Sequence, residues 1–312
     1  MKKTQFTFPR RPVDGLVLLD KPQGLSSNQA LQKVRNLLRA EKAGHTGALD
    51  PLATGVLPIC LGEATKAAGI LLGNDKAYEV EARLGATTDT DDAEGQVLRE
   101  RPVPAFGRTD IAALLPRFTG DILQVPPIYS ALKQGGEPLY VKARRGETIE
   151  IAARPVRIHA IELLELGPDR LRLRVTCGSG TYIRSLVRDL GEALGCGAHV
   201  TALRRLWVEP FQDLPLWTLD ALQALAAAQG EAALDAVLLP VEQALRAVPA
   251  LRLDADQARR LGMGQPVRLP EAAETADPVQ LCDGNGRSLG LAHIGPDGAV
   301  RVQRLFRWAA IN

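Results

Sequence analysis

The segment at residues 44–57 reads GHTGALDPLATGVL, and it can be neither a regular helix nor a regular strand along its length. Glycine is too flexible for the interior of either element, and proline lacks the N–H donor that both need. Regular patterns stand on both sides of the segment, so the chain must fold around an irregular loop. Asp50 is the carboxylate at the centre of that loop, and His45 comes five residues before it.

Short apolar strands alternate with amphipathic helices around this loop. GLVLLDKP at 15–22 predicts a buried strand, and SSNQALQKVRNLLRA at 26–40 predicts a helix capped by Ser26 or Ser27. Further strands are predicted at 56–62, 76–85, 156–166, 170–177 and 199–211, and further helices at 63–72, 109–118, 180–195, 217–228 and 231–238. This interleaving is typical of a mixed α/β fold.

The C-terminal part of the chain has a different pattern. GMGQP, DGNGRS and GPDG separate short strand-like runs after residue 250, which is typical of a small β-rich module. Pro240 and Pro249 flank the change, and 312 residues suffice for about two domains. The sequence therefore predicts a mixed α/β domain at 1–245 and a β-rich module at 246–312.

Charge is nearly balanced over the whole chain but uneven along it. The net charge is +2, whereas residues 1–50 carry nine Lys and Arg against four Asp and Glu. The segment 124–147 is rich in Pro, Gly, Lys and Arg. Each stretch is either a solvated basic face or a surface for phosphates, and we interpret 124–147 as a mobile segment that grips nucleic acid.

Several common chemistries lack their sequence signatures. The four cysteines include no C-x-x-C pair and the four histidines are scattered, which argues against structural zinc. Motifs for a phosphate loop, a dinucleotide site or a zinc deaminase are missing. DTDDAEG at 89–95 begins like a calcium loop, but Ala93 and Glu94 stand where a ligand and a glycine are needed. We therefore predict neither a metal nor a cofactor.

The sequence also favours a cytoplasmic protein. No apolar run approaches the ~18 residues that span a bilayer, so we expect no membrane association. The N-terminal lysines are not followed by the apolar stretch of a secretion signal, and widely spaced thiols fit a reducing compartment.

Composition alone leaves two interpretations of Asp50. It can be a turn-forming aspartate that accepts hydrogen bonds from nearby amides, a common role before proline. It can also be a functional carboxylate, because loops concentrate function and an aspartate with a pKa of about 3.9 is ionised near neutrality.

Long blocks between residues 19 and 205 carry a family resemblance. They are LDKPQGLSSNQALQKVR (19–35), GHTGALDPLATGVLPICLGEATK (44–66), KAYEVEARLGATTDTDDAEG (76–95), VPPIYSALKQGGEPLYVKARRGE (125–147), CGSGTYIRSLVRDLG (177–191) and GCGAHVTALRR (195–205). In this order they closely resemble the TruB family of tRNA pseudouridine-55 synthases. The resemblance implies a catalytic fold with a central mixed β-sheet flanked by helices, and the tail resembles a small PUA-like RNA-binding module.

The resemblance also implies a reaction. The uridine at position 55, in the T-loop of tRNA, is flipped out, detached from its ribose at nitrogen, rotated and rejoined through carbon 5, without a cofactor. Asp50 would be the nucleophile, attacking either the ribose C1′ or the base, and Arg184 its cationic partner. One departure is Ser179, where many members carry a lysine before GTYIR; this would remove one phosphate contact.

Other residues take their expected roles from the same resemblance. Tyr78 would pack on the target base and assist removal of the C5 proton, and Tyr182 would be a second tyrosine of the pocket. Leu203 would pack against the flipped base, and His45 would fill the space that the base leaves. Lys21 would support the catalytic loop, with a phosphate contact as the alternative.

The expected partner is the T-arm of tRNA. We expect a monomer without an obligatory protein partner, because no coiled coil or long apolar stripe stands out. Two other functions remain open from the sequence. The chain could be a tRNA-folding factor in which catalysis is secondary, or a guide-RNA-dependent relative of dyskerin that needs protein partners.

Overall fold

The computed structural model describes residues 9–130, 132–147, 149–272 and 277–310. The α-helices are α1 (Ser27–Leu37), α2 (Ala68–Leu72), α3 (Arg108–Leu114), α4 (Leu139–Arg144), α5 (Ile183–Ala193), α6 (Leu219–Gln229), α7 (Glu231–Ala236), α8 (Val241–Leu245) and α9 (Ala255–Gly262). Short 3₁₀ helices lie at Gly62–Lys66, Leu115–Phe118, Pro270–Ala272 and Arg307–Ala309. None of the helices within these ranges is long and apolar enough to cross a bilayer.

The strands form one large sheet, a separate C-terminal sheet and two small hairpins. They are β1 (Gly15–Lys21), β2 (Ala43–His45), β3 (Thr54–Leu61), β4 (Lys76–Leu84), β5 (Ala86–Thr88), β6 (Val97–Glu100), β7 (Gly120–Gln124), β8 (Lys133–Gln134), β9 (Glu137–Pro138), β10 (Arg154–Leu166), β11 (Arg170–Cys177), β12 (Ala198–Val208), β13 (Ala250–Arg252), β14 (Val279–Cys282), β15 (Ser288–Ile294) and β16 (Val300–Leu305).

The large sheet is mixed, and among the described strands one neighbouring pair is parallel. Its order is β1-β3-β12-β4-β11-β10-β7, with β2 paired to β3. Neighbouring strands run antiparallel except β3 and β12, which pair in parallel at Thr54–Arg204 and Gly55–Arg205. Arg205 also pairs with Tyr78 of β4. The irregular loop predicted from GHTGALDPLATGVL therefore enters the sheet beside Arg204 and Arg205 of β12, one strand away from Tyr78 near the start of β4.

Helices cover the sheet in separate apolar clusters. Helix α5 packs its Leu186, Val187 and Leu190 against buried residues of β4, β11 and β12. Helices α1 and α6 cover β1 and β3 through a second cluster that includes Val34 and Leu222. The predicted mixed α/β fold with a central mixed sheet and flanking helices is confirmed.

Most long elements form where the patterns predicted them. Ser26, rather than Ser27, caps α1, and its Oγ accepts a hydrogen bond from the Gln29 amide in a capping box. The predicted helix at 63–72 is a 3₁₀ turn followed by a short α-helix, and the predicted helix at 109–118 is a short α-helix followed by a 3₁₀ turn. Strands β2 and β5–β9, and helices α4, α8 and α9, were not predicted.

The C-terminal sheet, in the order β13-β14-β15-β16, lies against the 3₁₀ turn at Gly62–Lys66. Lys66 Nζ donates to the Leu305 carbonyl at 2.7 Å, and Glu63 accepts a hydrogen bond from the Arg307 amide at 2.6 Å. Leu291 and Phe306 of this part join Leu16 and Leu18 of β1 in a shared apolar cluster. Charged contacts and apolar burial thus both attach the β-rich part to the large sheet.

Gly55 gives a test of the close strand contact beside the loop. Its φ is +100°, and a Cβ there would come within 2.1 Å of the Arg205 carbonyl oxygen. We expect Gly55→Ala to lower the free energy of unfolding by more than about 3 kcal/mol, because the backbone of β12 must move. Gly120→Ala is the matched control, since its φ is +92° and nothing lies within 4 Å; it should cost about 1 kcal/mol. Equal losses in urea unfolding would contradict the proposed clash.

Candidate active site

A cleft of about 780 Å³ opens where the loop before β3 meets β4, β12 and the start of α5. It brings together residues that are far apart in sequence. Its lining includes His45, Asp50, Tyr78, Tyr182, Arg184 and Leu203.

An ion pair between Asp50 and Arg184 lies in this cleft. Arg184 Nε is 2.9 Å from Asp50 Oδ2, and Arg184 Nη2 donates to Asp50 Oδ1 at 3.2 Å. Arg184 is only 5% exposed, whereas the Asp50 side chain keeps 41% of its surface accessible. The carboxylate is thus held from one side and open to the cleft on the other. This contact favours the functional interpretation of Asp50 over that of a turn-forming aspartate.

Backbone carbonyls hold the guanidinium of Arg184 in turn. Its Nη1 donates to the Thr90 carbonyl at 2.8 Å, and its Nη2 donates to the Tyr129 carbonyl at 2.9 Å. Asp92 Oδ2 lies 3.5 Å from Nη1. Because donors on both sides of the planar fork are engaged, the guanidinium has little freedom to turn away from Asp50.

Burial and charge act in opposite directions on Asp50. Enclosure by the protein raises the pKa of the Asp50 carboxyl above its ordinary value, and the positive charge of Arg184 partly offsets this. Asp92 raises the pKa of Asp50 further, and Lys21 lowers it. Among these groups, Arg184 opposes the rise in the pKa of Asp50 most strongly and so favours the ionised carboxylate.

The loop that carries Asp50 is held from several directions. Ser27 Oγ donates to the Leu49 carbonyl at 3.0 Å and accepts from the Leu49 amide at 2.7 Å. The Gly24 amide donates to the Pro51 carbonyl at 2.8 Å. Leu49 and Leu52 are buried in the same cluster as Ile183 of α5. An irregular backbone is therefore rigidly placed without belonging to a regular element.

The two tyrosines and Leu203 form apolar and aromatic walls of the cleft. Tyr78 on β4 and Leu203 on β12 are 7% and 8% exposed and belong to one buried cluster. Burial raises the pKa of the Tyr78 phenol and that of Tyr182, so both remain protonated near neutrality. The Tyr182 amide, directly before α5, donates to Gln124 Oε1 at 2.8 Å.

His45 reaches the cleft from β2. Its Nδ1 is buried and has no hydrogen-bond partner within the described ranges. Burial, and then the charge of Arg205, lower the pKa of His45. A neutral imidazole at this place fits the expected role of filling space.

Comparison with known proteins identifies the family. The model of the TruB family pseudouridylate synthase N-terminal domain matches residues 35–183, and that of the tRNA pseudouridylate synthase B C-terminal domain matches 184–246. A third model, pseudouridine synthase II TruB, C-terminal, matches 249–306. The chain belongs to the TruB family. The resemblance inferred from the sequence blocks is confirmed.

Relatives match this TruB-family chain over almost its whole length. The tRNA pseudouridine synthase B of Xanthomonas campestris pv. campestris is 59% identical over 304 residues, covering 97% of each chain. The protein of that name from Ectopseudomonas mendocina is 55% identical, covering 95% of this chain and 96% of the relative.

Solved structures are similar at lower identity. A chain in the crystal structure of the archaeal box H/ACA sRNP Nop10-Cbf5 complex is 26% identical with a TM-score of 0.73, covering 96% of this chain and 89% of that one. A chain of a Cbf5-Nop10-Gar1 complex is also 26% identical, with a TM-score of 0.75 and coverage of 100% and 94%.

Lys21 does not line the cleft of this TruB-family chain. It is fully buried, and its Nζ donates to the carbonyls of Pro22 at 2.9 Å and Leu25 at 2.6 Å. Burial lowers the pKa of Lys21 to about 8, although the charges of Asp50 and Glu94 oppose this. The geometry agrees with support of the neighbouring loop. A phosphate contact would require the ammonium to leave both carbonyls.

The charged residues of the cleft that sequence reasoning missed include Asp92 and Arg205. Asp92 lies in DTDDAEG, where Asp92 Oδ1 accepts hydrogen bonds from Thr90 Oγ1 and the Glu94 amide. Within the described ranges no group of three or more His, Cys, Asp or Glu is arranged to hold a metal. Arg205 was detectable from strand alternation, because Leu203 and Arg205 share a face of β12 while Arg204 faces outward.

The lowered pKa of Lys21 predicts how the free energy of unfolding depends on pH. The folded pKa of Lys21 lies below the ordinary 10.5, so the unfolded state binds more protons between about pH 8 and 10.5. The wild type should therefore gain roughly 2–3 kcal/mol over Lys21→Met as the pH rises through that window. Urea unfolding at both ends of the window measures this. Lys33→Met, at an exposed lysine of α1, is the control and should show no comparable change; a parallel response of the two variants would refute the prediction.

Proposed function

We propose that this chain converts uridine 55 in the T-loop of tRNA to pseudouridine, with Asp50 as the nucleophile. The observation that carries the proposal is the Asp50 carboxylate, accessible in the cleft and bound from behind by buried Arg184. An ionised carboxylate is the form that can attack the substrate. The names of the 55–59% identical relatives, tRNA pseudouridine synthase B, support the substrate class.

The proposed reaction is an isomerisation, so its atoms balance without a second substrate. The glycosidic C1′–N1 bond breaks, a C1′–C5 bond forms, the C5 proton leaves and N1 gains a proton. Asp50 would hold the detached fragment covalently during the rotation of the base. Walls of Tyr78 and Leu203 beside Asp50 would limit the entry of water, which could otherwise hydrolyse the intermediate.

The target base must leave the RNA stack to reach Asp50, at a cost of a few kcal/mol. We assign Tyr78 and Leu203 to packing against the flipped base, because both belong to the same apolar cluster beside the cleft. A phenol with a raised pKa is a poor proton acceptor near neutrality, which favours packing over proton removal for Tyr78. His45 would occupy the space vacated by the base, and Tyr182 would close the pocket beside Arg184.

The segment 124–147 is well placed to contact the RNA. Tyr140 and Arg144 of α4 belong to the cleft lining, and the Arg144 guanidinium lies 5.5 Å from the centre of the Tyr140 ring. Arginine and aromatic side chains together suit stacked, unpaired nucleotides and their phosphates. We propose that this segment and α1 grip the T-arm, and that Lys21 acts through the loop rather than on the phosphates.

We propose residues 1–245 as the catalytic unit and 246–312 as an RNA-binding module. The separate sheet β13–β16 supports this division, and residues 1–8 and 311–312 of these units lie outside the described ranges. The four buried, unpaired cysteines fit a reducing, cytoplasmic compartment. We propose a monomer, as expected from the sequence.

Two other functions make different predictions. A tRNA-folding factor with secondary catalysis would bind and refold tRNA independently of Asp50. The similarity to chains of H/ACA complexes, at 26% identity, favours a guide-RNA-dependent enzyme. The relatives at 55–59% identity are instead named tRNA pseudouridine synthase B. We therefore rank direct modification of tRNA first.

The decisive experiment maps pseudouridine in an unmodified tRNA transcript incubated with the purified protein alone. Wild type should modify position 55, and Asp50→Asn should fall below about one ten-thousandth of that rate while binding tRNA normally, because the nucleophile is lost. The control Asp20→Asn changes an exposed ion pair with Arg204 and should retain activity. Binding without product in the wild type would support the folding factor, and product only with added guide RNA would support the third function.

The ion pair predicts how the rate depends on pH. Activity needs ionised Asp50, whose pKa is raised above 3.8, so the single-turnover rate should fall as the pH drops through that raised pKa. Arg184→Gln removes the charge that lowers the pKa of Asp50, so its acid limb should move to higher pH and its maximal rate should drop. Arg172→Gln, on the exposed face and paired with Glu79, should leave the profile unchanged. An acid limb that stays in place in Arg184→Gln would contradict this account.

A further inference from the structure

Arg205 is a buried cation without a matching carboxylate. It is 1% exposed, and within the described residues no Asp or Glu forms an ion pair with it. This differs from Arg184, which faces Asp50 and Asp92. Burying an unpaired guanidinium costs free energy unless its donors find acceptors. The contacts of Arg205 therefore indicate what it contributes.

Those contacts join three parts of the cleft. Arg205 Nε donates to the Val56 carbonyl of β3 at 2.7 Å, and Nη2 donates to the Gly47 carbonyl of the Asp50 loop at 3.0 Å. Arg205 also lies beside Tyr78, its cross-strand partner on β4, and both side chains line the cleft. A single rigid fork thus contacts the loop that carries Asp50 and neighbours the Tyr78 ring.

The sheet register places Arg205 between two strands of the site. On β12, Arg205 pairs with Tyr78 on one side and with Gly55 on the other. Gly55 allows the close approach of β3, because any side chain there would meet the Arg205 carbonyl. The side chain of Arg205 then projects into the cleft, whereas that of Arg204 points outward to Asp20, 2.9 Å away.

We propose that Arg205 is a positioning residue that sets the Asp50 loop and the Tyr78 hydroxyl in one fixed geometry. This inference rests on the proposed function. It assigns Arg205 no contact with the RNA, because its guanidinium is enclosed. Loss of the fork should lower the rate of the chemical step and leave tRNA affinity unchanged, since a small misplacement of reacting groups costs about 100-fold in rate.

The test compares Arg205→Lys with Arg204→Lys on the neighbouring, outward-facing residue. Both variants keep the positive charge. Only Arg205→Lys removes the guanidinium that contacts the Val56 and Gly47 carbonyls. We expect Arg205→Lys to slow single-turnover pseudouridine formation about 100-fold, with the Kd for tRNA within about threefold of wild type. Arg204→Lys should match the wild type in both. A wild-type rate in Arg205→Lys, or a parallel loss of rate and affinity, would overturn the proposal. A wild type without product would instead refute the proposed function.

A double-mutant cycle with Tyr78→Phe tests whether Arg205 acts through the hydroxyl. Phenylalanine keeps the ring and removes the acceptor. If the two groups form one unit, Arg205→Lys should cost less than about 10-fold in the Tyr78→Phe background, because coupled effects do not add. A full additional loss of about 100-fold would show that Arg205 acts independently of Tyr78, and the assignment to that hydroxyl would fail.

Gly47 offers a second route if Arg205→Lys does not fold. A Cβ at Gly47 would lie 3.3 Å from Arg205 Nη1, and its φ is +78°. Gly230→Ala is the control, because its φ is +76° and nothing lies within 4 Å. Gly47→Ala should lower the single-turnover rate more than Gly230→Ala at unchanged tRNA affinity. Equal rates in the two variants would overturn the proposed link.

Discussion

The ion pair between Asp50 and Arg184 is the interaction on which the site depends. A carboxylate enclosed by protein loses solvation, and the pKa of Asp50 is raised accordingly. The positive charge of Arg184, which the Thr90 and Tyr129 carbonyls hold in place, offsets part of this rise. Helix α5 brings Arg184 to this place by burying its apolar side on the sheet. Packing of the core and the charge state of Asp50 are therefore linked.

The same helix connects the cleft with the segment proposed to contact RNA. Arg184 bonds the Tyr129 carbonyl, while Ser185 Oγ and Arg188 Nη2 both donate to the Val125 carbonyl, at 2.8 and 2.9 Å. Both acceptors lie at the start of the 124–147 segment. One face of α5 thus contacts both Asp50 and the start of the segment proposed to bind RNA, so the positions of the two are coupled.

Sequence patterns predicted the long elements because burial imposes a clear period on them. The stripe of α1 and the alternation of β11 are examples, and Arg170, Arg172 and Arg174 do share the exposed face of β11. Short elements such as β8 and α4 carry too few residues to show a period, so the patterns missed them. For the site, the sequence blocks predicted Asp50, Arg184 and their neighbours, but not Arg205, whose proposed role depends on two strands meeting.

The sequence by itself determined the family, the irregular loop and the carboxylate at its centre, because glycine, proline and local motifs act over a few residues. Only the tertiary structure decided that Asp50 faces Arg184, 134 positions away, and that Lys21 turns to backbone carbonyls instead of the cleft. Only the tertiary structure, too, decided that the Arg205 guanidinium donates to the Gly47 carbonyl of the Asp50 loop. Such contacts arise from sheet order and helix packing, which place distant residues side by side and leave no local pattern.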